Sequence, residues 1–314
     1  MKTRRFKQKS IFIMSLLAVM ALNCGQLFCA SRASAVVIFS GKKEIFKTVW
    51  NSCKESLGKG SQIKSFQEFD VEEQREDEII SSIESNKPGI VFVFGTAAYE
   101  LAKRRISDVP VVFSVVYSSS EKSPRPNITG ISIKVSEKDK IPVLKKVFPG
   151  IKRIGVFYSD ESMEYFSELN RICADEGIEV VARKVDHEKD FPVKLSEIVP
   201  NIDLFYLLPD NKIYFAQSIR YLLLEGVRRK FPIVGLSSFF TKAGTVMSME
   251  CDYDDIGKQT AEAAEMILNG TPPAAINIRM PRKVVYSLNL QVAERIGRDF
   301  SQRLIDDASE VFGK

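Results

Sequence analysis

Two stretches of the sequence place small polar residues directly after an apolar run. The stretch "VFGTAAYE" (93–100) passes from apolar residues to Gly-Thr, and "LLPDNKIYFA" (207–216) passes to Asp-Asn. Thr96 offers a hydroxyl beside the N–H groups of a helix start, which is a seat for a carboxylate. Asp210 offers a carboxylate to an ammonium or to hydroxyls, and Asp252 in "MECDYDDIG" offers another. This polarity predicts a zwitterionic ligand such as an amino acid, with helix capping as the alternative role for both aspartates.

The usual sequence signatures of catalysis are absent. The single histidine, His187, lies in the charged stretch "VDHEKD", which is typical of a surface loop. The sequence contains no Gly-x-Ser-x-Gly turn, no His-Glu-x-x-His helix and no phosphate loop. We therefore predict no catalytic residue, no metal site and no cofactor. An exported hydrolase remains the alternative, because the two carboxylates that such an enzyme uses can meet in the fold while lying far apart in the sequence.

The first 35 residues have the three parts of a secretory signal peptide. Five basic residues precede an apolar run from Ile11 to about Leu22, and the small residues Ala33-Ser34-Ala35 follow. The apolar run is shorter than the roughly 20 residues that a membrane-spanning helix needs. We expect cleavage near Ala35 and a periplasmic or secreted protein. Lipid attachment at Cys24 or Cys29 is the less favoured alternative, because neither cysteine follows a small residue.

Removal of this leader changes the charge balance of the chain. The leader holds six of the 45 Lys and Arg residues and none of the 40 Asp and Glu residues, which leaves 39 basic against 40 acidic. The near-neutral remainder predicts no nucleic-acid partner. Three cysteines remain at wide spacing, Cys53, Cys173 and Cys251. They indicate neither a disulfide framework nor a zinc site; we expect buried small apolar residues, with one disulfide as the alternative.

Apolar, strand-like runs alternate with amphipathic segments along the rest of the chain. The runs are continuously apolar, as in "IVFVF" and "VPVVFSVV", which is typical of parallel strands buried on both faces. We predict strands at 36–40, 63–69, 90–94, 109–116, 153–158, 178–185, 204–208, 233–236 and 245–249. We predict helices near 42–58, 72–86, 96–105, 137–148, 161–177, 211–230 and 253–269.

This alternation runs twice, with a break at "SSSEKSPRPNITG". The pattern predicts an α/β protein made of two doubly wound parallel-sheet lobes with a ligand cleft between them. We assign residues 36–133 and about 252–275 to the N-terminal lobe, and residues 134–250 and about 276–314 to the C-terminal lobe. Polar residues follow most predicted strands, where parallel sheets bind ligands: Ser40, Thr96, residues 118–120, Ser159, Asp210 and Ser237.

An ordered set of motifs resembles the ABC-transporter substrate-binding proteins of the type I periplasmic-binding fold, in the branch with tryptophan- and tyrosine-binding members. The motifs are "VFGTAAYELA", "VPVVFSVV", "NITGIS", "LKKVFPGIKRIGVFYS", "LLPDNKI", "PIVGLSSFFTKAG", "DYDDIGKQTAE" and "VVYSLNLQVAERIG". The resemblance covers essentially all of residues 36–314. It implies a two-lobed protein that closes on a small molecule and presents it to an inner-membrane permease.

The resemblance also implies which residues bind the ligand. Ser40, Thr96, Ala97, Asp210 and Asn211 correspond to positions that contact ligand in the family, and a second set of candidates comprises Tyr117, Ser159, Ser162, Ser237 and Asp252. We therefore expect a monomeric periplasmic receptor for an amino acid or a similar small polar molecule, which performs no chemistry. A receptor that reports to a membrane sensor kinase or cyclase is the alternative within the same binding class.

Overall fold

The computed structural model describes residues 34–313 apart from residues 59, 60, 119, 121 and 124. The described chain forms two compact units. The first unit runs to Ile133 and includes Tyr253–Met280, and the second comprises Lys134–Asp252 together with the chain from Pro281 onward. The predicted signal peptide, with Cys24 and Cys29, lies outside the described residues apart from its last two positions.

The first unit is a five-stranded parallel sheet with helices between its strands. The strand order is β2-β1-β3-β4-β5, and every neighbouring pair is parallel. The strands are β1 Ser34–Phe39, β2 Ser65–Asp70, β3 Ile90–Phe94, β4 Val111–Val116 and β5 Ile128–Ser132, and the helices are α1 Glu44–Leu57, α2 Glu76–Asn86, α3 Thr96–Arg105 and, later in the chain, α9 Tyr253–Leu268.

Burial on both faces explains why the central strands of the first sheet are continuously apolar. All five residues of β3 are fully buried, and so are Ile38 on β1 and Phe113 on β4. Helices α1 and α9 pack closely, because a Cβ placed on Gly257 of α9 would lie 2.5 Å from the Val49 carbonyl oxygen of α1. Residues of α2 and α3 pack with β1, β3 and β4 in one apolar cluster, and Trp50 of α1 lies against Phe92 and Phe94, so helices cover both faces of the central strands.

The second unit is a seven-stranded mixed sheet in the order β12-β11-β10-β9-β8-β6-β7. Strand β11 is antiparallel to β10 and parallel to β12, and the other neighbours are parallel. The strands are β6 Arg153–Tyr158, β7 Glu179–Lys184, β8 Leu204–Tyr206, β9 Ile233–Gly235, β10 Met247–Cys251, β11 Val284–Asn289 and β12 Glu310–Phe312; the helices are α4 Glu137–Val147, α5 Met163–Asp175, α6 Phe191–Ile198, α7 Ala216–Arg229, α8 Ser238–Ala243, α10 Leu290–Arg295 and α11 Gln302–Asp306.

The structure confirms the predicted α/β class with two sheet-based units, and each of the nine predicted strands overlaps an observed one. Strand β11 is the exception to the predicted parallel pairing, because it runs antiparallel to β10. Between these two strands the chain leaves the second unit, passes through α9 in the first unit and then returns. The predicted helix near 211–230 starts only at Ala216, because a turn built on Asp210 occupies the first positions.

Two further features concern the chain as a whole. Cys53, Cys173 and Cys251 are all buried, as small apolar residues are. Burial raises the pKa of the Cys173 thiol to about 12. Across the part of the chain that the structure describes, no helix is both long enough and apolar enough to cross a membrane.

Candidate functional site

Four of the predicted binding residues lie at one edge of the first sheet. Ser40 follows β1, Thr96 and Ala97 follow β3, and Tyr117 follows β4. These three strands are neighbours in the sheet and run parallel, so their carboxyl ends meet at the same edge. Thr96 and Ala97 are exposed there. The structure therefore brings together residues that are up to 77 positions apart in the sequence.

The turn from β3 into α3 requires glycine at position 95 for two reasons. Gly95 has a φ of 90°, in the left-handed region that side chains rarely adopt. A Cβ at this position would also lie 2.6 Å from the Phe46 ring and 2.8 Å from the Ser40 hydroxyl oxygen. The N–H of Gly95 donates to the Ser114 carbonyl oxygen at 2.9 Å. Gly95 is thus used for packing and backbone shape, and its own N–H is already bound.

Ser40 caps α3 from a neighbouring loop. Its hydroxyl oxygen accepts the N–H of Ala98 at 2.8 Å, the bond that an N-cap side chain normally makes to the third residue of a helix. Gly95, which occupies the N-cap position itself, has no side chain to do this. The Ser40 N–H donates to the Phe94 carbonyl oxygen at 2.9 Å, which fixes Ser40 beside the helix.

Two donors at the start of α3 remain available. Within the described residues, the backbone N–H groups of Thr96 and Ala97 have no hydrogen-bond acceptor, whereas that of Ala98 is bound to Ser40. Exposed N–H groups at a helix start carry the positive end of the helix dipole. They can hold an anionic group, such as a carboxylate, without any charged side chain.

Tyr117 places an aromatic side chain at this edge, with 42% of its surface exposed. The next residue is clamped to β5, because the buried Ser132 hydroxyl donates to the Ser118 carbonyl oxygen at 2.9 Å and accepts the Ser118 N–H at 3.1 Å. Tyr117 therefore stands between a strand and a fixed backbone position. Of the predicted polar stretch at 118–120, residue 119 lies outside the described chain.

Asp210, at the corresponding edge of the second sheet, forms a buried hydrogen-bond centre. One carboxylate oxygen accepts the hydroxyls of Ser159 and Ser162, each at 2.6 Å, and the Ser159 N–H at 3.1 Å. The other accepts the N–H groups of Lys212 and Ile213 at 3.0 and 3.1 Å. The Asp210 side chain is only 5% exposed, and Ser159 and Ser162 are fully buried.

Five protein donors fill a carboxylate that offers about four lone-pair positions. Asp210 therefore ties the loop after β6 to the loop after β8 and shapes the turn that precedes α7. The interpretation of Asp210 as a free acceptor for an ammonium does not fit this arrangement, since a ligand would have to displace an internal donor. The sequence could not show this, because Ser159 and Ser162 lie about 50 residues away from Asp210.

Asn211 and Asp160 belong to the exposed rim around this centre. The backbone N–H and the side-chain amide of Asn211 both donate to one carboxylate oxygen of Glu161, at 3.3 and 3.2 Å. Lys184 at the end of β7 lies 2.8 Å from the Asp160 carboxylate. The hydrogen bond and charge of Lys184 hold the pKa of Asp160 below its usual range.

The last two predicted residues lie further along the same sheet edge. Ser237 precedes α8 and its side chain makes no capping hydrogen bond. Instead, Glu250 of β10 accepts the N–H of Ser238 at 2.7 Å. The Asp252 carboxylate lies 3.8 Å from the Lys283 ammonium, and the Asp252 N–H donates to the Lys283 carbonyl oxygen. Sequence reasoning missed Glu250 and Lys283; a charged residue at the end of an apolar strand was the signal for Glu250.

The described residues between 34 and 313 form no candidate metal centre. This part of the chain contains no group of three or more His, Cys, Asp or Glu side chains placed to hold a metal ion. His187 lines an open groove of about 640 Å³ together with Phe191, Gln217 and Tyr221. The groove lies in the second unit, and none of the ten predicted binding residues lines it.

Comparison with known proteins identifies a family match over most of the chain. The ABC transporter substrate binding protein family matches residues 45–312. A tyrosine-binding protein from Clostridioides difficile (strain R20291) is 23% identical over 202 residues, which are 61% of this chain and 58% of that protein. The match thus spans less than two thirds of the relative's length.

Two solved structures share the fold. The ligand-free, open structure of a substrate-binding protein with adhesive properties from Clostridium difficile superposes with a TM-score of 0.73 at 20% identity, covering 90% of this chain and 100% of that one. A Streptococcus pneumoniae ABC domain in complex with L-Trp superposes with a TM-score of 0.61 at 19% identity, with the same coverage. At these identities the likeness establishes the architecture alone.

Proposed function

The chain belongs to the ABC transporter substrate binding protein family, and from this premise we propose that it is the receptor for an amino acid that a membrane permease then imports. The ligand is bound and released without chemical change. Neither the sensor-receptor alternative nor the hydrolase alternative finds support in the comparisons.

The observation that carries this proposal is the pair of available donors at the start of α3. Every α-amino acid has a carboxylate, and Thr96 and Ala97 are exposed residues whose N–H groups have no acceptor within the described chain. Hydrogen bonds to an ionised group stabilise by about 1.5–3 kcal/mol. Two of them suffice to orient a small ligand at this edge.

An aromatic amino acid is the ligand class that the neighbouring residue favours. Tyr117 lies at the same sheet edge as the two donors and exposes 42% of its surface. Offset or edge-to-face aromatic contacts stabilise by about 0.5–1.5 kcal/mol beyond burial of area. The related proteins point the same way, since one is a tyrosine-binding protein and one structure contains L-Trp. We therefore propose L-tyrosine or L-tryptophan as the first ligands to test.

The residues of the second unit divide into two roles in this proposal. Asp210, Ser159 and Ser162 position the loops, because their polar atoms bond to one another and to nearby backbone. Asn211, Ser237 and Asp252 remain the candidates for direct contact, since each is at least partly exposed. Ser40 is a positioning residue in the first unit, because it fixes the helix that carries Thr96 and Ala97.

The remaining parts of the proposal concern location and assembly. Substrate-binding proteins of ABC transporters work outside the cytoplasmic membrane, and we propose that the leader ending near Ala35 directs export. Strand β1 starts at Ser34, so cleavage before Val36 would remove its first two residues. We propose that the exported protein acts as a monomer.

The test is a binding experiment with ligands that differ only in the carboxylate. The exported chain, residues 36–314, is titrated with L-tyrosine and L-tryptophan by calorimetry and thermal shift, and with tyramine and tryptamine as controls that lack the carboxylate. Saturation at 100 times Kd stabilises by about 2.7 kcal/mol. We expect the amino acids to bind and the amines to fail. The proposal would be rejected if no amino acid raised the Tm, or if the ligand recovered from the mixture had been chemically converted.

A further inference from the structure

Strand β4 contains a backbone conformation that its sequence does not predict. Val115 has a φ of 56°, in the left-handed region, although it is β-branched and only 8% exposed. Such a conformation is an outlier for a β-branched residue, since its Cβ and its branched side chain crowd the backbone there. Strained residues persist only when their surroundings hold them, and they concentrate at functional positions.

The strain coincides with a bulge in the pairing of β4 with β5. Phe113 pairs with Gly130 and Val116 pairs with Ser132, so β4 advances three residues where β5 advances two. The extra residue reverses the direction in which later side chains point, because side chains alternate between the two faces of a sheet. Val116 and Tyr117 therefore face opposite to the way that a regular strand would place them.

Within the described chain, five hydrogen bonds tie the bulge and the residues beside it to the α3 start, to α9 and to the end of β5. The Ser114 carbonyl oxygen accepts the N–H of Gly95 at 2.9 Å, and the Ser114 hydroxyl lies 2.5 Å from the hydroxyl of Thr260 on α9. On the other side, the Val116 carbonyl oxygen accepts the N–H of Ile133 at 3.1 Å, and Ser132 binds the backbone of Ser118. Ser114, Thr260 and Ser132 are fully buried.

We propose that the bulge at Val115 is a positioning device that sets the Tyr117 ring at the ligand-binding edge beside the start of α3. The same Ser114 carbonyl that anchors the bulge also fixes Gly95, the residue before Thr96. The position of the ring and that of the two N–H donors are therefore set by one piece of backbone. The inference that Tyr117 contacts an amino acid rests on the proposed function. The inference that Val115 sets the position of Tyr117 does not rest on it.

The first experiment measures the position of Tyr117 without any ligand. The chain is labelled with 3-fluorotyrosine, and the Tyr117 resonance among the nine tyrosines is assigned by its loss in Tyr117→Phe. Val115→Gly and Val115→Asn both permit a positive φ and should leave the resonance in place. Val115→Pro forces φ near −65° and should shift it. An unmoved resonance in a folded Val115→Pro protein would overturn the proposal.

The second experiment measures coupling in ligand binding. Val115→Pro should weaken the binding of L-tyrosine or L-tryptophan at least 10-fold, and Val115→Gly should stay within about 3-fold of the parent protein, which corresponds to less than about 0.7 kcal/mol. In the Tyr117→Ala background, the loss caused by Val115→Pro should be smaller than in the parent protein, because the contact with the ring is already gone. Additive losses would show a merely structural role and would contradict the proposal.

Deletion of Val115 provides a second bulge-free variant if Val115→Pro does not fold. Should neither fold, Val115→Gly is compared with Val116→Gly, a buried neighbour that has no positive φ. We expect Val115→Gly to keep or raise the Tm and Val116→Gly to lower it; equal losses would overturn the proposal. Failure of the parent protein to bind any amino acid would reject the proposed function only. The fluorine resonances would still test whether the bulge at Val115 positions Tyr117.

Discussion

The edges at which the parallel strands of the two sheets end use polar groups in opposite ways. At the first edge, the N–H groups of Thr96 and Ala97 are exposed and have no acceptor within the described residues. At the second edge, the Asp210 carboxylate is buried and receives five hydrogen bonds from the protein. Both edges look alike in sequence, because each has a strand that ends on small polar residues before a helix.

This difference separates residues that can bind from residues that hold the binding surface. A buried polar group that lacks a partner costs about 1–3 kcal/mol, so Asp210 must be satisfied internally if no ligand is present. Exposed N–H groups at a helix start are hydrated and can exchange water for a ligand at little cost. The first edge thus offers donors that are open to a ligand, and the second edge is built around a fixed carboxylate.

The largest expected effect tests the internal role of Asp210. Asp210→Ala removes the acceptor of five donors and should lower the free energy of unfolding of the second unit by about 3 kcal/mol or more. Urea denaturation followed by circular dichroism measures this loss. Asn211→Ala is the matched control at the adjacent exposed position and should change stability by about 0.5 kcal/mol or less. Equal stability of the two variants would refute the contrast between the edges.

The next effect tests the open donors at α3. Thr96→Pro removes the first N–H of the helix, which proline tolerates at that position, and Gly95 with a ψ of 169° suits a following proline. Binding of the amino acid should weaken about 10- to 100-fold, in line with the loss of one charge-assisted hydrogen bond. Thr96→Ala keeps the N–H and loses only the hydroxyl. Calorimetry should show that the affinity of the Thr96→Ala variant is closer to that of the parent protein. Identical affinities of the Thr96→Pro and Thr96→Ala variants would show that the Thr96 N–H does not bind the ligand.

Alkaline pH is expected to act on the second unit through Tyr206. Burial first, and then the charge of Glu137, which accepts the Tyr206 hydroxyl at 2.6 Å, raise the pKa of Tyr206 well above its usual value. Above about pH 10 the unfolded chain loses this proton and the folded chain keeps it, so stability falls as pH rises, by at most about 1.4 kcal/mol per pH unit for one group.

Tyr206→Phe should therefore reduce the slope of unfolding free energy between pH 10 and 11. Urea unfolding at both pH values measures the slope. Tyr158→Phe on the neighbouring strand β6 is the control, since Tyr158 is partly exposed. A slope that Tyr206→Phe leaves unchanged would show that this tyrosine does not govern alkaline stability.

The smallest effect tests the cap on α3. Ser40→Ala removes the acceptor of the Ala98 N–H and should cost about 1 kcal/mol in unfolding free energy, as the loss of a helix cap does. Ser40→Thr keeps the hydroxyl and serves as the matched variant. Thermal denaturation should rank the parent first, Ser40→Thr next and Ser40→Ala last. A Ser40→Ala protein as stable as the parent would remove Ser40 from its positioning role.

Much of the architecture follows from patterns that lie within a single element. The run "IVFVF" predicts a strand buried on both faces, and all five residues of β3 are fully buried. Strands β5, β11 and β12 were not predicted as strands. Strands β5 and β12 are edge strands of five and three residues, whose patterns are weak, whereas β11 has six residues inside its sheet and its run "VVYSLN" was overlooked. The bulge at Val115 was also missed. Its stretch "VVFSVV" contains no glycine and is typical of a regular strand.

The sequence by itself determined the alternation of strands and helices, the polar residues at strand ends and the place of Thr96 at a helix start, because each depends on neighbours within a few residues. Only the tertiary structure decided which of these polar groups stay open. Asp210 is satisfied by Ser159 and Ser162, some 50 residues away, and Ala98 by Ser40, 58 residues away. Hydrogen-bond capacity is shared among strands that meet only in the folded sheet, and local sequence does not record such partners.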